Sequence, residues 1–234
     1  MQAEFGDQLR VTYVMGGMAR EFQRPLQTLH DVLDAAAASA MPVEPRLWLD
    51  RPPASSYPAC QAVKAAAEQG LDGRYLRVLR EGLMARGQAL DTAPALIDAA
   101  RAVPGLNVAR FEIDLRSHAI VEAFGADLDR TTAAAADGEA RVPLPTFEVE
   151  GGVSVRGEHR PEPLRGALLA AELEPQPLPG VEEALRRFGT MATPEVAAVC
   201  DLPGPRAAAE LWRLASEWRV RPERVLSGEF WSLT

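Results

Sequence analysis

Cysteine, histidine, lysine, asparagine and long apolar runs are what this chain of 234 residues has little of. Its two cysteines, Cys60 and Cys200, stand far apart, which excludes a disulfide framework, a zinc-ligand spacing and any Cys-x-x-Cys. In a reducing compartment both are free thiols. His30, His118 and His159 are isolated from one another and from the cysteines, so neither a metal cluster nor a Cys–His pair is signalled. No apolar run approaches the roughly 20 residues of a membrane helix. The opening Met1-Gln2-Ala3-Glu4-Phe5-Gly6-Asp7 has neither the basic nor the apolar part of a signal peptide. The expectation is a cytoplasmic protein without a membrane partner. A basic excess is missing too: the net charge of −8 excludes a general affinity for polyanions, so nucleic acid is not an expected partner. Lys64 is the only lysine and Asn107 the only asparagine, while alanine abounds, the mark of GC-rich codon usage.

Within those limits the order of elements is readable. Leu9-Arg10-Val11-Thr12-Tyr13-Val14-Met15, ended by Gly16-Gly17, reads as a strand, and the few residues before it as the last turn of a helix. From about residue 26 to 137 apolar residues recur at three- and four-residue spacing, broken by prolines and glycines into about six helices. Ser55-Ser56-Tyr57-Pro58 and Asp91-Thr92-Ala93-Pro94 read as helix starts, and Asn107 as a cap. The strand signal returns over residues 144–149 and, after Gly151-Gly152, over 153–155. A short helix from about residue 163 follows, and then the proline-rich joint Glu174-Pro175-Gln176-Pro177-Leu178-Pro179. In the tail, residues 181–188, 193–199 and 206–218 are helical patterns, and 225–231 reads as a terminal ribbon. That outline is a winged-helix module. Its acidic residues match its arginines, so packing on the body or on a partner is expected there in place of DNA binding.

One strand, a long helical insertion, then two strands and a helix is the connectivity of a thioredoxin fold carrying a DsbA-type helical domain, with the first strand missing. Phe5-Gly6-Asp7-Gln8-Leu9-Arg10-Val11-Thr12-Tyr13-Val14-Met15-Gly16-Gly17-Met18, Ser55-Ser56-Tyr57-Pro58-Ala59-Cys60-Gln61-Ala62-Val63-Lys64-Ala65-Ala66 and Val142-Pro143-Leu144-Pro145-Thr146-Phe147 resemble the DsbA-family, FrnE-like dithiol-disulfide isomerases. The expected division is therefore 1–24 (end of a helix, one strand), 25–138 (helical insertion), 139–174 (second thioredoxin half) and 175–234 (helical tail).

The resemblance implies thiol-disulfide exchange with protein or small-molecule thiols and no metal or organic cofactor. It also implies that Pro145 is the family's cis-proline, with Leu144, Pro145 and Thr146 binding an extended substrate as an added strand. The family's Cys-x-x-Cys would fall ahead of Met1. The expectation is a natural product that begins upstream, and no redox activity in the chain as it stands. A complete chain would leave two strands without their central neighbour, a gap for a partner strand to fill.

Two further readings follow. Glutathione transferases of the kappa type and hydroxychromene-carboxylate isomerases share the plan, and would bind glutathione. A non-catalytic module would use the Leu144–Pro145 loop to hold peptides. Cys60, near a helix N-terminus, is a candidate thiolate, set against the commoner reading of a small buried hydrophobe.

Overall fold

Proline and glycine divide the chain into short elements, and alanine lets those elements lie close together. The computed structural model describes residues 1–157 and 160–234; His159 lies outside them. The middle of the chain holds α2 (Pro25–Ser39), α3 (Leu47–Asp50), α4 (Tyr57–Ala67), α5 (Asp72–Ala85), α6 (Ala93–Ala100), α7 (Val108–Leu115) and α8 (His118–Ala133), preceded by α1 (Gln2–Phe5). Asn107 caps α7 as its sequence suggests, its Oδ1 accepting the Arg110 N–H at 3.0 Å. Ser56 takes a different job from the expected cap: its hydroxyl accepts the Ala19 N–H at 2.9 Å and donates to the Ala19 carbonyl at 3.0 Å. Among the described residues no helix is long and apolar enough to cross a membrane.

The chain divides into two units: Met1–Glu21, Ala54–Leu79 and Leu90–Gln176 form the first, and Phe22–Pro53, Arg80–Ala89 and Pro177–Thr234 the second. The residues expected as one helical insertion thus belong to both, α5 contributing to each.

In the first unit α4 is the axis. Ala62, Ala65 and Ala66 are fully buried, so that α7 and α8 come down on it with no bulky side chain to hold them off. The aromatic pairs Tyr75–Phe111 and Tyr57–Phe124, with ring centroids 5.1 Å and 5.0 Å apart, fill the space that alanine leaves. The strands are β1 (Thr146–Val149) and β2 (Val153–Arg156), an antiparallel hairpin in register Phe147↔Val155, followed by α9 (Pro161–Ala170).

The expected strand over residues 9–15 is not one. Leu9 is extended, but from Arg10 to Val14 no backbone ladder bond forms among the described residues, and the Met15 N–H goes instead to the Asp127 carboxylate at 2.8 Å. The residues are suited to a strand by composition; a strand also needs a paired neighbour, and none of the described segments forms a ladder with it.

The second unit contains α10 (Val181–Phe188), β3 (Met191–Ala192), α11 (Thr193–Val199), α12 (Arg206–Ser216), β4 (Val220–Val225) and β5 (Gly228–Leu233), the strands in the order β3-β5-β4. The ribbon begins earlier than residue 225 because charges and Pro222 hide β4 in the sequence. Pro222 is tolerated there because β4 is an edge strand. Val181, Leu185, Val196, Leu211, Leu214, Val220 and Trp231 build this core, and Trp48 packs with Val32 and Val43 in a separate cluster of the same unit.

Tyr75 offers a test of the first core. Its ring is fully buried and its hydroxyl donates to the Leu96 carbonyl at 2.8 Å. Tyr75→Phe keeps the packing and should cost about 0.5–1.5 kcal/mol in urea unfolding. Phe111→Ala, which empties the neighbouring space, should cost about 3–5 kcal/mol. Equal losses would contradict a core held chiefly by packing.

Candidate functional site

The strap from Arg141 to Thr146 uses its polar groups unevenly. Val142 is buried and its N–H donates to the Thr131 carbonyl at 2.9 Å. Pro143 has no N–H, and its carbonyl accepts the Thr146 hydroxyl at 2.6 Å. Pro145 likewise has none, and its carbonyl accepts the Gly157 N–H at 2.8 Å. Between them Leu144 keeps both its N–H and its C=O without a hydrogen bond among the described residues, and its side chain is 40% exposed. The Leu144–Pro145 bond is cis, as the sequence reading expected. Thr146 opens β1, with Phe147 beside it half-exposed.

Beneath the strap lies Gly16-Gly17, and at residue 17 glycine is required. A Cβ on Gly16 would stand 3.1 Å from Leu144 Cδ1; one on Gly17, whose φ is +59°, would stand 2.9 Å from Tyr57 Cε1. Arg141 closes the arrangement from above: Nη1 donates to the carbonyls of Gly16, at 3.1 Å, and Gly17, and Nη2 to that of Met18 at 3.4 Å. On the other side Asp127, buried in the apolar face of α8, accepts the Met15 N–H and pairs with Lys64 Nζ at 2.9 Å. The chain's only lysine is therefore spent inside the first unit, where an aspartate would otherwise be left without a counter-charge.

Cys60 sits under the same turn. It is 6% exposed, and burial pushes its thiol up to about 11; the neighbouring Asp127 charge adds to the rise, while the Gly17 N–H and the Arg141 guanidinium oppose it. That is the opposite of an activated nucleophile. Cys200, half-buried in the second unit, borders an open groove of about 500 Å³ with Val181, Leu202 and Arg206, and burial raises its thiol too. Among the described residues no group of histidine, cysteine and carboxylate side chains could hold a metal ion.

The structure thus brings Leu144, Pro145 and Thr146 together with Cys60 beneath them. The sequence reading missed the contacts of Arg141, the Asp127–Lys64 pair and the need for glycine at 17. One signal was present: Asp127 falls on the stripe of Ile120, Phe124 and Thr131, where every other residue faces the core.

Helices flanked by Gly16-Gly17 on one side and a proline-headed hairpin on the other accord with what comparison finds. The family model described as Thioredoxin matches residues 1–137. The chain belongs to the thioredoxin family. Among curated proteins it is similar to the ClpXP adapter protein SpxH of Halalkalibacterium halodurans, 30% identical over 254 residues that cover 99% of this chain and 80% of that protein. The proteins of the same name from Shouchella clausii and Bacillus cereus are 32% and 27% identical, each alignment covering 75% of this chain and 60% and 61% of theirs.

The Cys60 environment gives a pH prediction. The folded value lies above the unfolded 9.0, so this thiol's contribution to stability is complete below about pH 9 and is lost as pH rises through about 11. Between about pH 8 and about pH 11 the protein should lose roughly 2 kcal/mol more stability than Cys60→Ala does in parallel urea titrations. Parallel pH slopes would contradict the buried, protonated thiol.

Proposed function

We propose that this chain is a protein-binding module of the adapter kind, which holds an extended segment of a partner protein against the backbone of Leu144. The observation that carries this is Leu144 itself: it is 40% exposed and neither its N–H nor its C=O has a hydrogen bond among the described residues, while the Val142 N–H and the Pro143 and Pro145 carbonyls beside it are engaged. An extended chain laid alongside would bond to both as an added strand, with apolar side chains meeting Leu144 and Phe147. The open backbone of residues 10–14 in the same unit offers a second unpaired edge. The name carried by its relatives, ClpXP adapter, supports delivery of the bound protein to a protease of that type as the purpose of binding.

The order of helical insertion, proline-headed strand, hairpin and helix supports descent from DsbA-type, FrnE-like thiol-disulfide oxidoreductases. The buried thiol of Cys60 speaks against exchange chemistry by that residue, and no observation favours the glutathione-binding alternative. In the second unit the order helix, strand, helix, helix, strand, strand with sheet order β3-β5-β4 supports a winged-helix reading. Two of its arginines are engaged by acids: Arg213 by Glu210 and Glu217, and Arg219 by Glu182. Such a surface suits a protein contact better than a polyanion.

The test is fluorescence anisotropy with labelled α-lactalbumin whose cysteines are reduced and blocked, a chain that stays unfolded. Saturable binding is expected, weakened at least about tenfold by Leu144→Asp, which sets a charge on the apolar contact. No saturable binding, or equal binding by the variant, would overturn the proposal.

A further inference from the structure

Resting on that reading of the Leu144 edge, we propose that Arg141 is its positioning residue and that, by spending its guanidinium inside the loop, it makes the edge select an extended segment that is apolar and uncharged where it crosses Leu144 and Met18.

Three observations converge on this. First, the carbonyls of Gly16, Gly17 and Met18 follow a segment with no ladder neighbour, and it is Arg141 that brings donors to all three. A planar fork can serve several acceptors at once in a fixed geometry, which a flexible ammonium cannot. The guanidinium thereby ties residues 16–18 to the strap, and Gly16 is the surface on which the Leu144 side chain rests. Ordering the strap before a ligand arrives removes a cost that binding would otherwise meet.

Second, a positive group beside a peptide-binding edge would normally invite a carboxylate. Here Nη1 and Nη2 face the carbonyl oxygens of Gly16, Gly17 and Met18, so three of the five N–H donors are committed inside the loop. Third, what the edge does expose is apolar: Met18 is 70% exposed and Leu144 40% exposed, and the Met18 carbonyl and Gly16 fall within the same clamp. Exposed apolar side chains beside unpaired backbone groups favour a segment that brings its own N–H and C=O together with an apolar side chain. A charged residue at that point would lose water without gaining a partner.

The experiment uses the full chain and fluorescein-labelled decapeptides in a Ser/Thr/Gly host with Leu, Glu or Lys at the centre, read by anisotropy. The Leu peptide should bind at least about tenfold more tightly than the Glu or Lys peptide, and its affinity should change less than about threefold between low and high salt. Arg141→Met should weaken the Leu peptide at least about tenfold with helical circular dichroism retained, and Arg141→Lys by an intermediate factor, since one ammonium cannot span the three carbonyls.

Wild-type affinity in Arg141→Met, or a preference of the unaltered chain for the Glu peptide, would overturn the inference while leaving binding at Leu144 intact. Failure of the unaltered chain to bind any of the three peptides would overturn the binding reading and the inference together. Should Arg141→Met lose its helical signal, Arg141→Lys decides: weakened binding supports the positioning role, and unchanged binding contradicts it.

Discussion

One guanidinium bears on most of what makes this molecule useful. Arg141 reaches back across the first unit to the carbonyls of Gly16, Gly17 and Met18 and fixes where the strap and the glycine turn meet. From that meeting follow the position of Leu144 on Gly16, the burial of Cys60 under Gly17, and the exposure between two prolines of a residue whose N–H and C=O have no hydrogen bond among the described residues. At residue 17 the arrangement depends on glycine. A side chain at residue 17 would have both a strained backbone and a collision with Tyr57.

The polar interior follows the same economy. Asp127 accepts a backbone N–H and an ammonium, so its charge is compensated at two points, and Lys64 has no call on it elsewhere. Cys60, beside them, stays protonated because burial outweighs the nearby guanidinium. In this thioredoxin-family chain the Cys60 thiol thus serves as packing. Under the proposed reading the strap offers backbone beside exposed apolar side chains, which suits an extended apolar segment.

Much of this was legible in residues taken singly. Pro58, Pro94 and Asn107 marked helix starts because each acts through its own geometry or its own hydrogen bond. The strap was legible through the family resemblance of Val142-Pro143-Leu144-Pro145-Thr146-Phe147, which implied the cis bond before Pro145. Residues 9–15 were misread because a strand is a property of a pair, and composition says nothing about whether a neighbour is present. β4 was hidden for the converse reason: Pro222 argues against a strand, and only the sheet order shows it to be at an edge. Arg141, Lys64 and Asp127 gave no local sign of their partners, which lie far along the chain. Long-range ion pairs and clamps cannot be read from spacing; an aspartate on an apolar stripe is the closest the sequence comes to announcing one.

The most direct measurement is residue-resolved amide exchange by NMR. In the free chain the Val142 and Gly157 amides, bonded to the Thr131 and Pro145 carbonyls, should be protected, while the Leu144 amide between them exchanges freely. Addition of a bound unfolded chain should slow Leu144 selectively. A Leu144 amide already protected in the free protein, or one that exchanges as fast with the partner as without it, would contradict the claim that this peptide unit is the open edge on which binding depends.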